Sequence, residues 1–110
     1  MTVRATPEDV ERLATELDGV VRAAEELERE LRDRGNVNPE GAVEVREIAA
    51  SLATRTRAGE LSGGAGALPL SRPFGEWSYG PAAEPVWQAI DAVQRVWAER
   101  LGRGDFEVTR

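Results

Sequence analysis

Apolar side chains recur at a regular spacing over the first third of this chain, and the spacing decides what kind of fold it can adopt. The steps between them alternate between three and four residues, which is a heptad pattern. This pattern predicts one long amphipathic helix over residues 7–34. The apolar seam consists of Val10, Leu13, Leu17, Val20, Ala24, Leu27 and Leu31.

Signals at both ends support these bounds. Thr6 is a good N-cap residue, and Pro7 suits the first position of a helix. Gly35 follows the last apolar residue of the seam at the distance typical of a helix C-cap. Acidic residues dominate the first turn and arginines the last, so the charges complement the helix dipole.

Two further helices are predicted. Asn38 and Pro39 begin a second helix over residues 39–58, and the short loop before it predicts an antiparallel hairpin with the first. A third helix is predicted over residues 84–101, with an apolar stripe wide enough to contact two neighbours. The core positions on these helices are Val45, Ile48 and Leu52, then Val86, Ile90, Val93 and Trp97.

The predicted fold class is therefore all-α. A helical hairpin is followed by a long Gly/Pro/aromatic crossover (59–83) and by the third helix, which gives a three-helix bundle. At 110 residues the chain is expected to form one domain, 1–110. The short tail, 102–110, is expected to be frayed or to form a strand.

The crossover combines many glycines and prolines with several large apolar side chains. We expect its Gly-rich part (62–67) to be mobile and residues 68–79 to fold back on apolar surface. Two interpretations of its aromatic residues compete: a lid that covers the open end of the hairpin, or an exposed anchor for a partner, because Trp and Tyr are favoured at interface hot spots. The partner-binding hypothesis assigns this role to Phe74, Trp77, Tyr79 and Trp87.

The composition excludes several kinds of chemistry. The chain has no Cys and no His, so it has no disulfide, no thiol nucleophile, no catalytic dyad built on His and no zinc-type metal site. Its many carboxylates fall on polar helix faces, where they are expected to be solvated. No catalytic residue, metal or cofactor is therefore predicted.

The charge balance limits the partners. There are 20 acidic residues against 14 basic ones, all of which are Arg, and the net charge is −6. This argues against nucleic acid and anionic membrane as partners. No apolar run is long enough to span a membrane, and the N-terminus lacks the apolar stretch of a Sec signal.

The resulting hypothesis is a non-catalytic helical module that binds a protein partner or associates with itself. The alternatives are a structural assembly subunit, such as a phage or capsid-like component, and an accessory protein or small enzyme that binds a hydrophobic metabolite between helices. The heptad seam itself does not favour a parallel coiled-coil dimer. That pairing would set Glu16 against Val21 and Ala23 against Glu28, which forms no ion pair.

The segment 74–83 reads FGEWSYGPAA and links the crossover to an Ala- and Trp-containing helix. With the long N-terminal helix, it resembles the small W-x-G helical-hairpin proteins of actinobacterial type VII (ESX) secretion. The resemblance implies a four-helix complex of two hairpins, no catalysis, and export without a cleaved signal. Apart from this resemblance, the protein is expected in the cytoplasm. In this chain the turn reads WSYG, one residue longer than W-x-G, and an additional helix, 39–58, precedes it.

Overall fold

Three α-helices dominate the chain, as the apolar pattern predicts. The computed structural model describes residues 3–5, 7–35, 37–58, 70, 74, 79–101 and 106–108. The helices are α1 (Pro7–Arg34), α2 (Glu40–Arg57) and α3 (Glu84–Val96). A 3-10 helix, Gly80–Ala83, leads into α3, and a π-helical turn, Trp97–Leu101, continues it. The predicted all-α three-helix bundle is confirmed.

The loop between α1 and α2 is defined by local hydrogen bonds. Gly35 adopts a φ of 76°, and its N–H donates to the Leu31 carbonyl at 3.3 Å, which is the left-handed cap that favours glycine. Asn38 then accepts the Glu40 N–H on its side-chain oxygen at 3.0 Å, and Pro39 accepts the N–H of Ala42. These contacts end one helix and begin the next within a few residues.

Helix α1 packs closely against both other helices. Its pairing with α2 is antiparallel, because Arg57 at the end of α2 pairs with Asp18 at 2.7 Å while Arg46 near its start pairs with Glu28 at 3.0 Å. Helix α3 also runs antiparallel to α1. It begins beside Leu27, in the C-terminal half of α1, and its π-helical turn contacts α1 and the strand that precedes it. The molecule is elongated, with extents of 49 × 21 × 17 Å.

The core follows the three predicted apolar faces. Every predicted core position is buried except Ile48, which is partly exposed and packs against the core. Small residues form part of this core on α2, among them Ala42 and Ala49, which are fully buried. The buried hydroxyl of Thr56 donates to the Leu52 carbonyl at 2.6 Å, so this polar group is satisfied within its own helix.

Two short strands bring the ends of the chain together. β1 (Val3–Ala5) and β2 (Phe106–Val108) form a parallel pair in which Arg4 lies in register with Glu107. The tail was expected to be frayed or a strand, and its strand is observed. Its partner β1 was not predicted, since three residues show no measurable period and the pairing spans almost the whole chain.

Some expectations fall on residues that the structure does not describe. These are the Thr6 cap, the mobility of residues 62–67, the position of Trp77, and most of the crossover (59–69, 71–73 and 75–78). Among the described residues, no helix combines the length and apolar character that crossing a membrane requires.

The Asp18–Arg57 pair makes a testable contribution to stability. Its hydrogen bond with Arg57 lowers the pKa of the Asp18 carboxyl, so the pair stabilises the fold above the unfolded-state pKa of about 3.9. This contribution is lost as the pH falls through the lower folded-state pKa. Because both side chains are exposed, we expect it to be only about 0.2–1 kcal/mol.

Urea unfolding of the wild type and of Asp18→Asn between neutral and strongly acid pH measures it. The wild type should be the more stable near neutrality, and the difference should disappear in acid. Asp91→Asn, which removes an exposed carboxylate from α3, is the matched control. A difference that stays constant over the whole range would contradict the assignment.

Candidate interaction surfaces

Three aromatic side chains from different parts of the chain meet at the start of α3. The ring of Phe74, in the crossover, lies 5.0 Å from the ring of Trp87 and 6.0 Å from the ring of Tyr79. The rings are tilted by 49° and 39° to each other, and both separations lie within the range of favourable aromatic contacts. Phe74 and Tyr79 are buried, and Trp87 is partly exposed. We call these three residues the aromatic cluster.

The Tyr79 hydroxyl connects the aromatic cluster to the first turn of α2. It accepts the Gly41 N–H at 2.9 Å and donates to the Asn38 carbonyl at 2.8 Å. The Gly41 amide is one of the first N–H groups of a helix, which have no partner inside the helix, so the hydroxyl acts as a cap delivered from a distant segment. Burial raises the pKa of Tyr79, with a smaller opposite effect of the Gly41 and Ala42 amides, so the hydroxyl keeps the proton that it donates.

These positions correct the partner-binding hypothesis at two residues. Phe74 is 1% exposed and Tyr79 is 9% exposed, so they do not offer the surface that an anchor for a partner requires. Their burial agrees with the lid interpretation in that the rings join the core. The place differs from the expected one, because the Tyr79 hydroxyl bonds Gly41 and Asn38 beside the α1–α2 loop, not at the open end of the hairpin. Trp87 retains an exposed part, and Trp77 lies outside the described residues.

Sequence reasoning missed what Tyr79 does. A tyrosine in a Gly/Pro segment carries no sign that its hydroxyl bonds a backbone amide 38 positions earlier. A weak signal was present. Gly41 lies in the first turn of α2 and has no side chain to cover its own amide, and Tyr79 is the single tyrosine in the crossover that could bond it. Leu70, fully buried, was likewise seen only as part of an apolar segment.

An open groove of about 350 Å³ runs between α1 and the beginning of α3. Both apolar and charged residues line it, and the charged ones are all exposed. We call its apolar residues the floor and its charged residues the rim. The floor residues are Ala23, Leu27, Ala82 and Pro85, and the rim residues are Glu26, Arg29, Glu30 and Asp33. We call it the α1–α3 groove.

Ion pairs occupy part of this rim. Arg29 lies 3.4 Å from Glu26, and Arg34, next to the groove, lies 2.7 Å from Glu30. Asp33 forms no ion pair with any residue that the structure describes. The rim therefore has an excess of negative charge that suits a cationic side chain.

In the described part of the chain, no group of three or more acidic side chains is arranged to hold a metal ion.

Comparison with known proteins gives no further guide, since the chain matches no protein-family model, no curated protein sequence and no solved structure.

Proposed function

We propose that this protein is a non-catalytic helical module that binds another protein through the exposed part of Trp87. The observation that carries the proposal is a large aromatic ring that is partly exposed while its inner side rests on the buried ring of Phe74. Trp is one of the residue types enriched at interface hot spots, where truncation to alanine costs about 2 kcal/mol or more of binding energy.

The support beneath Trp87 favours this role. Phe74 packs against the indole, and Tyr79 packs against Phe74 while its hydroxyl is held by the start of α2. A ring supported in this way is already ordered before a partner arrives. Binding then loses less side-chain entropy than it would with a mobile ring.

The resemblance to type VII secretion proteins suggests the class of partner. It favours a second helical protein, which would lie along the outer flank of α3. The exposed side chains of Gln88 and Asp91 lie next to Trp87 on that helix and would form the polar rim that interfaces usually have.

The test uses the full-length chain as bait in extracts of its native cells. Wild type and Trp87→Ala are compared, with Arg55→Ala, at an exposed position of α2 away from Trp87, as the control. We expect a specific protein to be retained by the wild type and the control, and its affinity to fall at least tenfold for Trp87→Ala.

Circular dichroism must show that Trp87→Ala is folded, and Trp87→Phe provides a second variant that keeps the contact with Phe74. A partner that binds Trp87→Ala as tightly as wild type would refute the proposal. The same holds if no protein is retained by the wild type under conditions where the bait is folded.

A further inference from the structure

We propose that the α1–α3 groove binds helix α1 of a second copy of this chain. In this antiparallel dimer, Arg12 of each copy pairs with Asp33 of the other. The surface is distinct from the Trp87 surface of the proposed function, so either proposal can fail while the other stands.

The groove offers the right surroundings for an arginine. Its apolar floor, with Leu27, Ala82 and Pro85, suits the aliphatic part of the side chain, and its rim supplies carboxylates for the guanidinium. Asp33 is the rim carboxylate without an ion pair to any described residue, so it is the one that gains most from a new cation. The groove volume of about 350 Å³ is large enough for the Arg12 side chain of the second copy and for parts of the residues beside it on that helix.

The same helix carries the complementary group. Arg12 is exposed, and the described residues include no carboxylate that pairs with it. It lies about six helical turns before Asp33, so the two residues share the outer side of α1 at opposite ends. Arg12 is too far from the α1–α3 groove to enter it within a single copy. In two copies related by a two-fold axis, Arg12 of each copy can enter the groove of the other.

Two-fold symmetry makes the contact occur twice. When Arg12 lies opposite Asp33 of the second copy, Glu16 lies opposite Arg29, and both contacts repeat on the other side of the axis. The axis then passes between Arg22 and Ala23. A parallel arrangement would instead set each charge of this face against its own copy, so the charges select the antiparallel one.

The centre of the face allows the helices to approach. No atom lies within 4 Å of the position that a side-chain carbon on Gly19 would occupy, so packing within one copy does not require glycine there. Glycine inside a helix costs stability relative to alanine. In the dimer, the missing side chain leaves room for the Glu26 turn of the second copy. Arg22 lies near the symmetry axis, and therefore near Arg22 of the second copy. It is also close to Asp18 of its own copy, and the charge of Arg22 helps to lower the pKa of that carboxyl.

Sedimentation velocity from low micromolar to low millimolar concentration tests the proposal. We expect a weak, reversible dimer, because one helix face buries less area than a standard interface. Arg12→Glu and Asp33→Arg should each weaken it about tenfold, since every change replaces two attractive contacts by repulsive ones. The double variant Arg12→Glu/Asp33→Arg restores both contacts with reversed sign and should restore the dimer.

Two controls make the same charge changes elsewhere. Arg55→Glu on α2 and Asp91→Arg on α3 both alter exposed residues away from the groove, and they should leave the dimer unchanged. A chain that remains monomeric over the whole range overturns the proposal. So does a dimer that the single variants do not weaken, or one that the double variant fails to restore. Trp87→Ala should leave the dimer intact, which separates this result from the test of the proposed function.

Discussion

Replacing Phe74 by alanine is expected to lower the free energy of unfolding by about 3–5 kcal/mol. Phe74 is 1% exposed and is among the largest fully buried side chains described. Its removal leaves a cavity between Trp87 and Tyr79, the two rings that it contacts. Urea unfolding followed by circular dichroism measures the change.

Phe74→Leu is the matched control. Leucine keeps most of the apolar volume but loses the aromatic contacts, so this variant should lose much less stability than Phe74→Ala. If Phe74→Ala lost no more than a surface substitution such as Gln88→Ala, the crossover would not be part of the core, and the position assigned to the aromatic cluster would be wrong.

Replacing Tyr79 by phenylalanine is expected to cost about 1–3 kcal/mol, although the change removes a single oxygen atom. The loss arises because the Gly41 N–H and the Asn38 carbonyl both lose their partner, and the Gly41 contact is buried. Equilibrium unfolding gives the total loss. Amide hydrogen exchange at Gly41 shows where it arises, since that amide should exchange faster in the variant.

Asn38→Ala is the control in the same turn, since it removes the acceptor for the Glu40 N–H at an exposed position. It should weaken the start of α2 by about 1 kcal/mol without changing the packing of the crossover. Unchanged Gly41 exchange in Tyr79→Phe would contradict the capping role of the hydroxyl.

The helices could be predicted because their signals are local. In α1, the seam from Val10 to Leu31 repeats with the helical period, and Gly35 ends it through its own backbone conformation. Burial of that seam is the dominant favourable term in folding, so periodicity alone identified the core faces. Ile48 shows the limit, since periodicity does not tell how completely a neighbour covers the edge of a face.

The site could be predicted only in part. Trp87 was identified as a candidate from its residue type and its place beside the crossover, and it is partly exposed. Phe74 and Tyr79 were named as partner-binding candidates by the same reasoning, with a covering role left open, because aromatic residues in a loop satisfy the requirements of a lid and of an anchor equally well. Their burial in the structure favours the covering role. Burial distinguishes the two, and burial depends on where the loop lies.

The amino-acid order by itself determined the three helices, their apolar faces and the antiparallel hairpin, since each depends on residues within a few turns of one another. Only the tertiary structure decided which aromatic rings are covered, which amide the Tyr79 hydroxyl caps, that β1 pairs with β2, and that a groove forms beside Asp33. Those contacts join residues far apart in the chain. Their formation depends on how whole elements pack, and no local pattern records that.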